Sequence, residues 1–425
     1  MRILIRAIVT VTLFFVIQRE CFPQGAPAVP FLLISSSPET NGMGGVSSAS
    51  VSMHPMAPLG NVGQIGLFAM DNFVNGGIYA SKTFPFASYG YSEISYQVVA
   101  FNAGFNLRDL FDVPVPLSVG VGYGRISFDL GEFAITSSAG PSIIGTFKSY
   151  EVCDNIILGA GIDSWVRFGF GVNFKMINSH LSPIGTEAEQ GSGSASASAY
   201  DVGAILQVPV TEIISRLGTG LSVLPGKTRP VLDLTMGYAK RTIGDGISYV
   251  AGVESDLLPR AAALGVGIEF GFESRIIGEG WRILGVTISR EADAVLVSRS
   301  PDGSWSYVSG SGPIRFIDNV IGGKSSPLIT QRKGWRLDCA EIFSFRGGSV
   351  AENQGVYSTA GWGLRLSGLC KLISVVAGDL GNSLPGFLLK NIDVQYDHAH
   401  YTYAPAAREG PSYSSISLVL RKMPF

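Results

Sequence analysis

Between Trp165 and Lys175 the chain reads WVRFGFGVNFK, and its apolar residues fall on every second position. Val166, Phe168, Phe170, Val172 and Phe174 alternate with Arg167, Gly169, Gly171, Asn173 and Lys175. A period of two belongs to a strand with one greasy face and one small or charged face. Such a stretch suits a strand that crosses a bilayer at a tilt, which takes roughly 9–11 residues. It equally suits a half-buried strand of a soluble sandwich, so repetition along the chain has to decide.

The pattern does repeat. Leu117–Gly124, Leu232–Ala239, Leu264–Glu273, Leu284–Ile288, Gly361–Leu366 and Ile392–Asp397 alternate in the same way. Further strands are expected near Val62–Phe68, Gly77–Phe84, Ser95–Phe101, Asn155–Ile162, Tyr200–Gln207, Arg336–Phe345 and Tyr413–Leu420. The expectation is an all-β chain with about 14 strands, within two either way.

The faces choose the environment. Arg167, Lys175, Asp233, Glu269, Glu273 and Arg365 all lie on the small-residue face. A cation turned to lipid at mid-bilayer costs roughly 2–4 kcal/mol. Turning the apolar face outward and these six residues toward a lumen avoids that cost. A soluble sandwich would carry more Lys, Glu and Thr on its outer face; here that face is dominated by glycine. Of 425 residues 54 are glycine, nearly double the roughly 7% average. Charged residues are 15% and the mean hydropathy is +0.29, apolar for a soluble protein of this size. Small inward residues suit a lumen filled by a plug. The reading is a transmembrane antiparallel β-barrel, closed so that no edge strand meets lipid.

Three regions follow in order: a signal peptide over 1–25, a plug over 26–60 and the barrel over 61–425. Arg2 and Arg6 precede an apolar run, Ala7–Ile17, too short to span a membrane. Export through such a leader places the barrel in the outer membrane of a Gram-negative cell. Cys153, Cys339 and Cys370 are read as small apolar fillers, not a disulfide framework. Gly191–Ala199, GSGSASASA, reads as a flexible loop, and Thr211–Leu217 as a short amphipathic helix. Trp165, Trp281, Trp335 and Trp362 near strand ends read as interfacial girdle residues. Phe425 reads as a terminal aromatic of the kind that marks many barrels. By these facings Phe170→Asp should impair assembly and Asn173→Asp should be tolerated.

The stretch Phe31–Pro58 is rich in small residues around a Gly-Met-Gly-Gly core at Gly42, Met43, Gly44 and Gly45. With Phe31, Leu32 and the His54-Pro55-Met56-Ala57 segment, it resembles the start of the PorV/PorQ group. That segment departs from the Asn-Pro-Ala usual in the group. The group consists of FadL-like outer-membrane barrels associated with type IX secretion. The resemblance implies a plug motif at Gly42, Met43, Gly44, Gly45 and Pro55. It also implies partners beyond outer-membrane lipid: secreted cargo with C-terminal sorting domains, and a translocon barrel. The alternative is a FadL-like uptake channel for hydrophobic small molecules, which should show an apolar pocket beside the plug. A cargo binder should show a polar, filled lumen and large ordered outer loops.

No enzyme motif is found, and no catalytic, cofactor or metal site is expected. Gly120-x-Gly122 and Gly265-x-Gly267 lie inside strands, so they are not phosphate cradles. His398 and His400 share a strand face but lack a carboxylate or Cys at ligand spacing. Glu269 and Glu273 read as pore-wall charges. A net charge of −2 gives no nucleic-acid footprint.

Overall fold

The computed structural model describes residues 27–81, 94–111, 115–136, 140, 142–182, 193–218, 228–249, 255–274, 280–300, 304–352, 355–377, 386–387, 391–402 and 409–421. The expected leader at 1–25 and the terminal Phe425 lie outside them.

Fourteen antiparallel strands close into one barrel. In chain order the wall is β1 (Asn72–Ser81), β2 (Ser95–Asn106), β3 (Leu117–Thr136), β4 (Ile143–Asp163), β5 (Arg167–Ser182), β6 (Gly193–Pro209) and β7 (Thr228–Ile243). It continues with β8 (Ala261–Ser274) and β9 (Trp281–Val295). A small hairpin, β10 (Val297–Arg299) and β11 (Trp305–Tyr307), stands apart from the wall. The wall then resumes with β12 (Thr330–Cys339), β13 (Phe343–Glu352), β14 (Gly355–Arg365), β15 (Ile392–Thr402) and β16 (Glu409–Arg421). Closure comes from β1 against β16, with Ile78 opposite Ile416. Among the described residues no helix is long and apolar enough to cross a membrane; the strands do the crossing.

Alternation sets the facing. On β5, Phe170, Phe174 and Met176 are exposed on the outside, while Asn173, Lys175 and Ile177 are buried inside. The outer face of the other strands carries Ile78, Phe101, Leu158, Met236, Ile268, Ile288, Phe345, Leu364 and Ile416, each exposed. This is the apolar belt that lipid requires. Trp335 and Trp362 belong to the outer face and Trp165 is exposed on a turn, but Trp281 is buried and donates its indole N–H to the Ala340 carbonyl at 2.8 Å. Among the described residues Cys153, Cys339 and Cys370 are free thiols.

Several expectations need correction. The wall starts at Asn72, so the boundary at 60/61 falls too early. Residues Gln64–Asp71 are not a strand but a helix inside the lumen, buried from Gln64 to Met70. Arg336–Phe345 is not one strand but parts of two, β12 and β13, joined by a tight turn in which Ala340 and Glu341 both take φ of 53°. The two errors cancel, so the expected count of 14 is right while its membership is not. Gly193–Ala199 is not a flexible loop. It forms the first half of β6, with Ser194 opposite His180 and Ala197 opposite Ile177. Residues 191–192 are outside the described set. The helix expected at Thr211–Leu217 is Val210–Arg216.

Candidate functional site: the plug and its two walls

Residues 27–71 run through the lumen from one rim to the other. At one end the Ala28 N–H donates to the Leu257 carbonyl in the β7–β8 connection. At the other end Asp71 leads into β1 at the rim where β16 also ends. The plug therefore meets nearly the full height of the wall, and it meets two halves of the wall in different ways.

Against β3, β4 and β5 the contact is dry and close. A Cβ on Gly120 or Gly159 would lie 2.7 or 2.4 Å from the Ile65 side chain. One on Gly161 would lie 2.3 Å from the Gly66 carbonyl, and one on Gly169 2.3 Å from the Gly63 carbonyl. The inward glycines are thus the space in which the plug helix sits. Leu59, Val62, Ile65 and Phe68 bury themselves there with Ile126, Cys153, Ile157 and Ile177. Deeper in the same wall, Asn173 donates to Asn155 and to Asp201, at 2.9 and 2.8 Å.

Against β9 and β12–β15 the plug is held by charge. Arg336 on β12 pairs with Glu39 of the plug at 2.8 Å and with Asp338 at 2.9 Å. Arg346 on β13 pairs with Asp397 on β15 at 2.5 Å, both fully buried. His54 of the plug sits 3.8 Å from Asp397 and 3.0 Å from the Ser415 hydroxyl. Glu291 on β9 accepts the backbone N–H groups of Ser47 and Ser48 at 2.8 and 2.6 Å. Such pairs survive burial only when both charges and most of their hydrogen-bonding capacity are matched.

The Gly42–Gly45 motif docks on this charged half. Gly44 and Gly45 take φ of 72° and 76°, a region where a side chain is strained. Their carbonyl and amide groups reach the wall: the Gly44 N–H donates to Thr359 at 2.9 Å, and Thr359 donates to the Gly42 carbonyl at 3.1 Å. Met43 is completely buried against Gly334 and Gly348. The Pro55 carbonyl accepts from Asn102 at 2.8 Å.

All six inward-facing polar residues named from the sequence lie on the inner face or its rim, and most are paired instead of bathed in solvent. Lys175 pairs with Asp201 at 2.9 Å, Glu273 with Arg229 at 2.8 Å, and Glu269 with Arg282. Arg167 pairs with Asp71 at 3.2 Å, and Asp233 accepts from Gln207 at 2.8 Å. Arg365 has an Nε with no hydrogen-bond partner among the described residues. Glu39, His54, Arg336, Arg346 and Asp397 were not singled out from the sequence as site residues. Arg336 and Arg346 are in phase with the inward Gly334 and Gly348, so the alternation rule was enough to find them; Glu39 carries no such signal.

Cavities open at both rims among the described residues. One of about 570 Å³ lies at the rim of the β1 entry and is lined by Arg282, Arg336, Asp338, Arg365, Lys371 and Gln395 among others. A neighbour of about 190 Å³ holds Arg167, Asp233 and Glu273. At the opposite rim a pocket of about 250 Å³ is lined by Leu33, Ile34, Val295, Arg332, Tyr357, Tyr401 and Tyr413. Between the first and the last stands the Glu39–Arg336 layer. No group of residues suited to a metal ion occurs among the described residues.

The outer connection between β9 and β12, described at 296–300 and 304–329, carries the β10–β11 hairpin and the turn Phe316–Ile321. Burial lifts the Tyr307 phenol above its usual range, and its hydroxyl accepts the Leu258 N–H at 2.9 Å. The Lys324 ammonium beside Asp318 holds that carboxyl below the usual carboxylate range.

No protein-family model matches the chain, and no curated protein matches it. Solved structures do. The toluene transporter TodX of Pseudomonas putida is 12% identical, covering 90% of this chain and 96% of its own, with a TM-score of 0.35. The toluene transporter TbuX of Ralstonia pickettii is 13% identical, covering 91% and 98%, with a TM-score of 0.38. The monoaromatic hydrocarbon channel CymD is 10% identical, covering 92% and 97%, with a TM-score of 0.35. Overlap this loose leaves the barrel to be argued from its own closed sheet and apolar belt.

Proposed function

We propose that this outer-membrane barrel works with its lumen closed, as a surface on which exported proteins dock. This is the role in type IX secretion implied by the PorV/PorQ resemblance of Phe31, Leu32 and Gly42–Gly45. The observation that carries it is the filled lumen. Residues 27–71 occupy it, the wall glycines leave no slack around Ile65 and Gly66, and the cavity of about 570 Å³ beside the plug is lined mainly by polar residues. The outer connection that carries the β10–β11 hairpin is the sort of rim a protein partner needs. Secreted cargo with a C-terminal sorting domain, together with a translocon barrel, is the expected company.

A second reading, uptake of a hydrophobic small molecule, has its own observation: Leu33, Ile34, Val295 and three tyrosines line the pocket at the far rim. It is also the activity in the names of the TodX, TbuX and CymD channels, so the comparisons lean this way while the lumen leans the other. At TM-scores below 0.5 that lean carries no weight for the ligand.

Affinity purification of the tagged protein from native outer membranes, with mass spectrometry of what accompanies it, separates the two. Secreted proteins sharing a C-terminal domain, or a very large barrel, support the docking role. A barrel that comes down alone with extractable hydrocarbon overturns it in favour of uptake.

A further inference from the structure

On the outer wall, Arg290 of β9 and Lys333 of β12 stand directly opposite each other in the ladder. Both point outward: Ile288 and Trp335, two residues away on the same strands, are 58% and 47% exposed. Like charges directly opposite repel. Among the described residues nothing on the wall relieves the pair. The residue facing Arg290 from β8 is Val266, and the one facing Lys333 from β13 is Ser349. Lys333 has no ion pair or side-chain hydrogen bond among the described residues, and Arg290 donates only to the Ile321 carbonyl at 3.0 Å. By contrast, outward Arg125 on β3 is matched by Asp154 at 3.2 Å, with Tyr123 donating to the same carboxylate.

The loop above adds more positive charge and an apolar edge. Its π-helical turn, Phe316–Ile321, lies on the outside of the barrel. Val320 is buried there in a cluster against which Leu264 and Val266 pack. Arg290 Nη1 and Lys333 Nζ converge beneath Gly323, 3.6 and 3.8 Å from the place its Cβ would take. Lys324 and Arg315 are exposed nearby, and the loop's Asp318 is taken by Lys324 at 2.8 Å. Ile317, Ile321 and Leu328 are 76%, 51% and 48% exposed.

We propose that this patch binds the phosphate of an anionic membrane lipid. Arg290 and Lys333 would take the headgroup, and the acyl chains would lie along Ile288 and Trp335. The occupant is a lipid and not a free anion because the cations sit between the lipid-facing belt and exposed loop isoleucines. Basic residues at a membrane surface attract acidic lipid by roughly a five-fold change in affinity each. The assignment is independent of the docking and uptake readings.

Native mass spectrometry of the full protein in detergent, with added dioleoyl phosphatidylglycerol or dioleoyl phosphatidylcholine, tests it. Retention of the glycerol lipid should exceed that of the choline lipid by about ten-fold or more. R290Q/K333Q should lose about 30-fold in that retention, K333Q alone about five-fold, and R125Q nothing. Equal retention of the two lipids by the natural protein overturns the proposal, whatever the variants do. So does unchanged lipid selectivity in K333Q. Displacement of the lipid by inorganic phosphate at low millimolar concentration would make this a site for soluble anions and overturn the lipid assignment.

Discussion

The two halves of the wall hold the same plug by opposite means. On β3–β5 the plug helix Gln64–Asp71 lies in a trough of glycines, and backbone touches backbone. On β12–β15 the Gly42–Gly45 segment lies against paired charges, with a polar cavity of about 570 Å³ beside it. Dispersion and burial have no preferred direction but tolerate no extra atom. Ion pairs are directional, and a lost partner leaves a bare buried charge. The dry half fixes the plug; the charged half is where water reaches it and where a rearrangement would start.

The largest expected effect breaks the charged half. Arg346→Met leaves Asp397 buried without its cation and should cost about 3–5 kcal/mol, read from the urea midpoint of the refolded barrel. Adding Asp397→Leu should return most of that loss. If it returns none, the pair is not the relevant contact. Gly363 sharpens the point, since a Cβ there would lie 2.5 Å from an Asp397 oxygen and 2.9 Å from Arg346 Nη2.

The dry half should break by bulk alone. Gly161→Val should cost about 3 kcal/mol, the upper part of the usual range for overpacking, with less heat-modifiable folded protein on a gel. A fully folded variant would mean that the plug helix does not sit as described. Phe170→Asp, on the lipid side of the same wall, should cost about 2 kcal/mol. Asn173→Asp, expected from the sequence to be harmless, should instead cost about 1–3 kcal/mol, because the Asp201 carboxylate is 2.8 Å away. Equal folding yields for Asn173→Asp and the natural protein would contradict that placement. The smallest effect belongs to Arg365→Gln. Its cation lines the cavity with no ion pair within 4 Å among the described residues, and the more distant carboxylates of Asp338 and Glu39 act on it, so stability should fall by about 1 kcal/mol or less; a larger loss in the same urea titration would show a direct partner.

The contrast also explains what the sequence could reveal. Period-two alternation reports which way a side chain points, so the belt, the lumen-facing polar residues and the strand number were legible. It does not report what lies opposite. Residues 62–68 carry apolar residues that serve a helix face as well as a strand, and only the glycine trough of the wall selects the helix. The β12–β13 turn was invisible because Ala340 and Glu341, not Gly or Asn, adopt left-handed angles there. The Ser/Ala run of β6 has a loop's composition, yet its pairing with β5 makes it wall. Glu39 and His54 gain their meaning only from Arg336 and Asp397, hundreds of residues away in the chain.

Backbone hydrogen–deuterium exchange, read peptide by peptide in the folded barrel, tests the central claim most directly. Residues 64–71 should exchange only with global unfolding, as slowly as the wall strands, while residues 38–45 should exchange faster and faster still in Arg346→Met. Equal protection of the two segments, or faster exchange at 64–71, would contradict a plug fixed on its dry side and movable on its charged one.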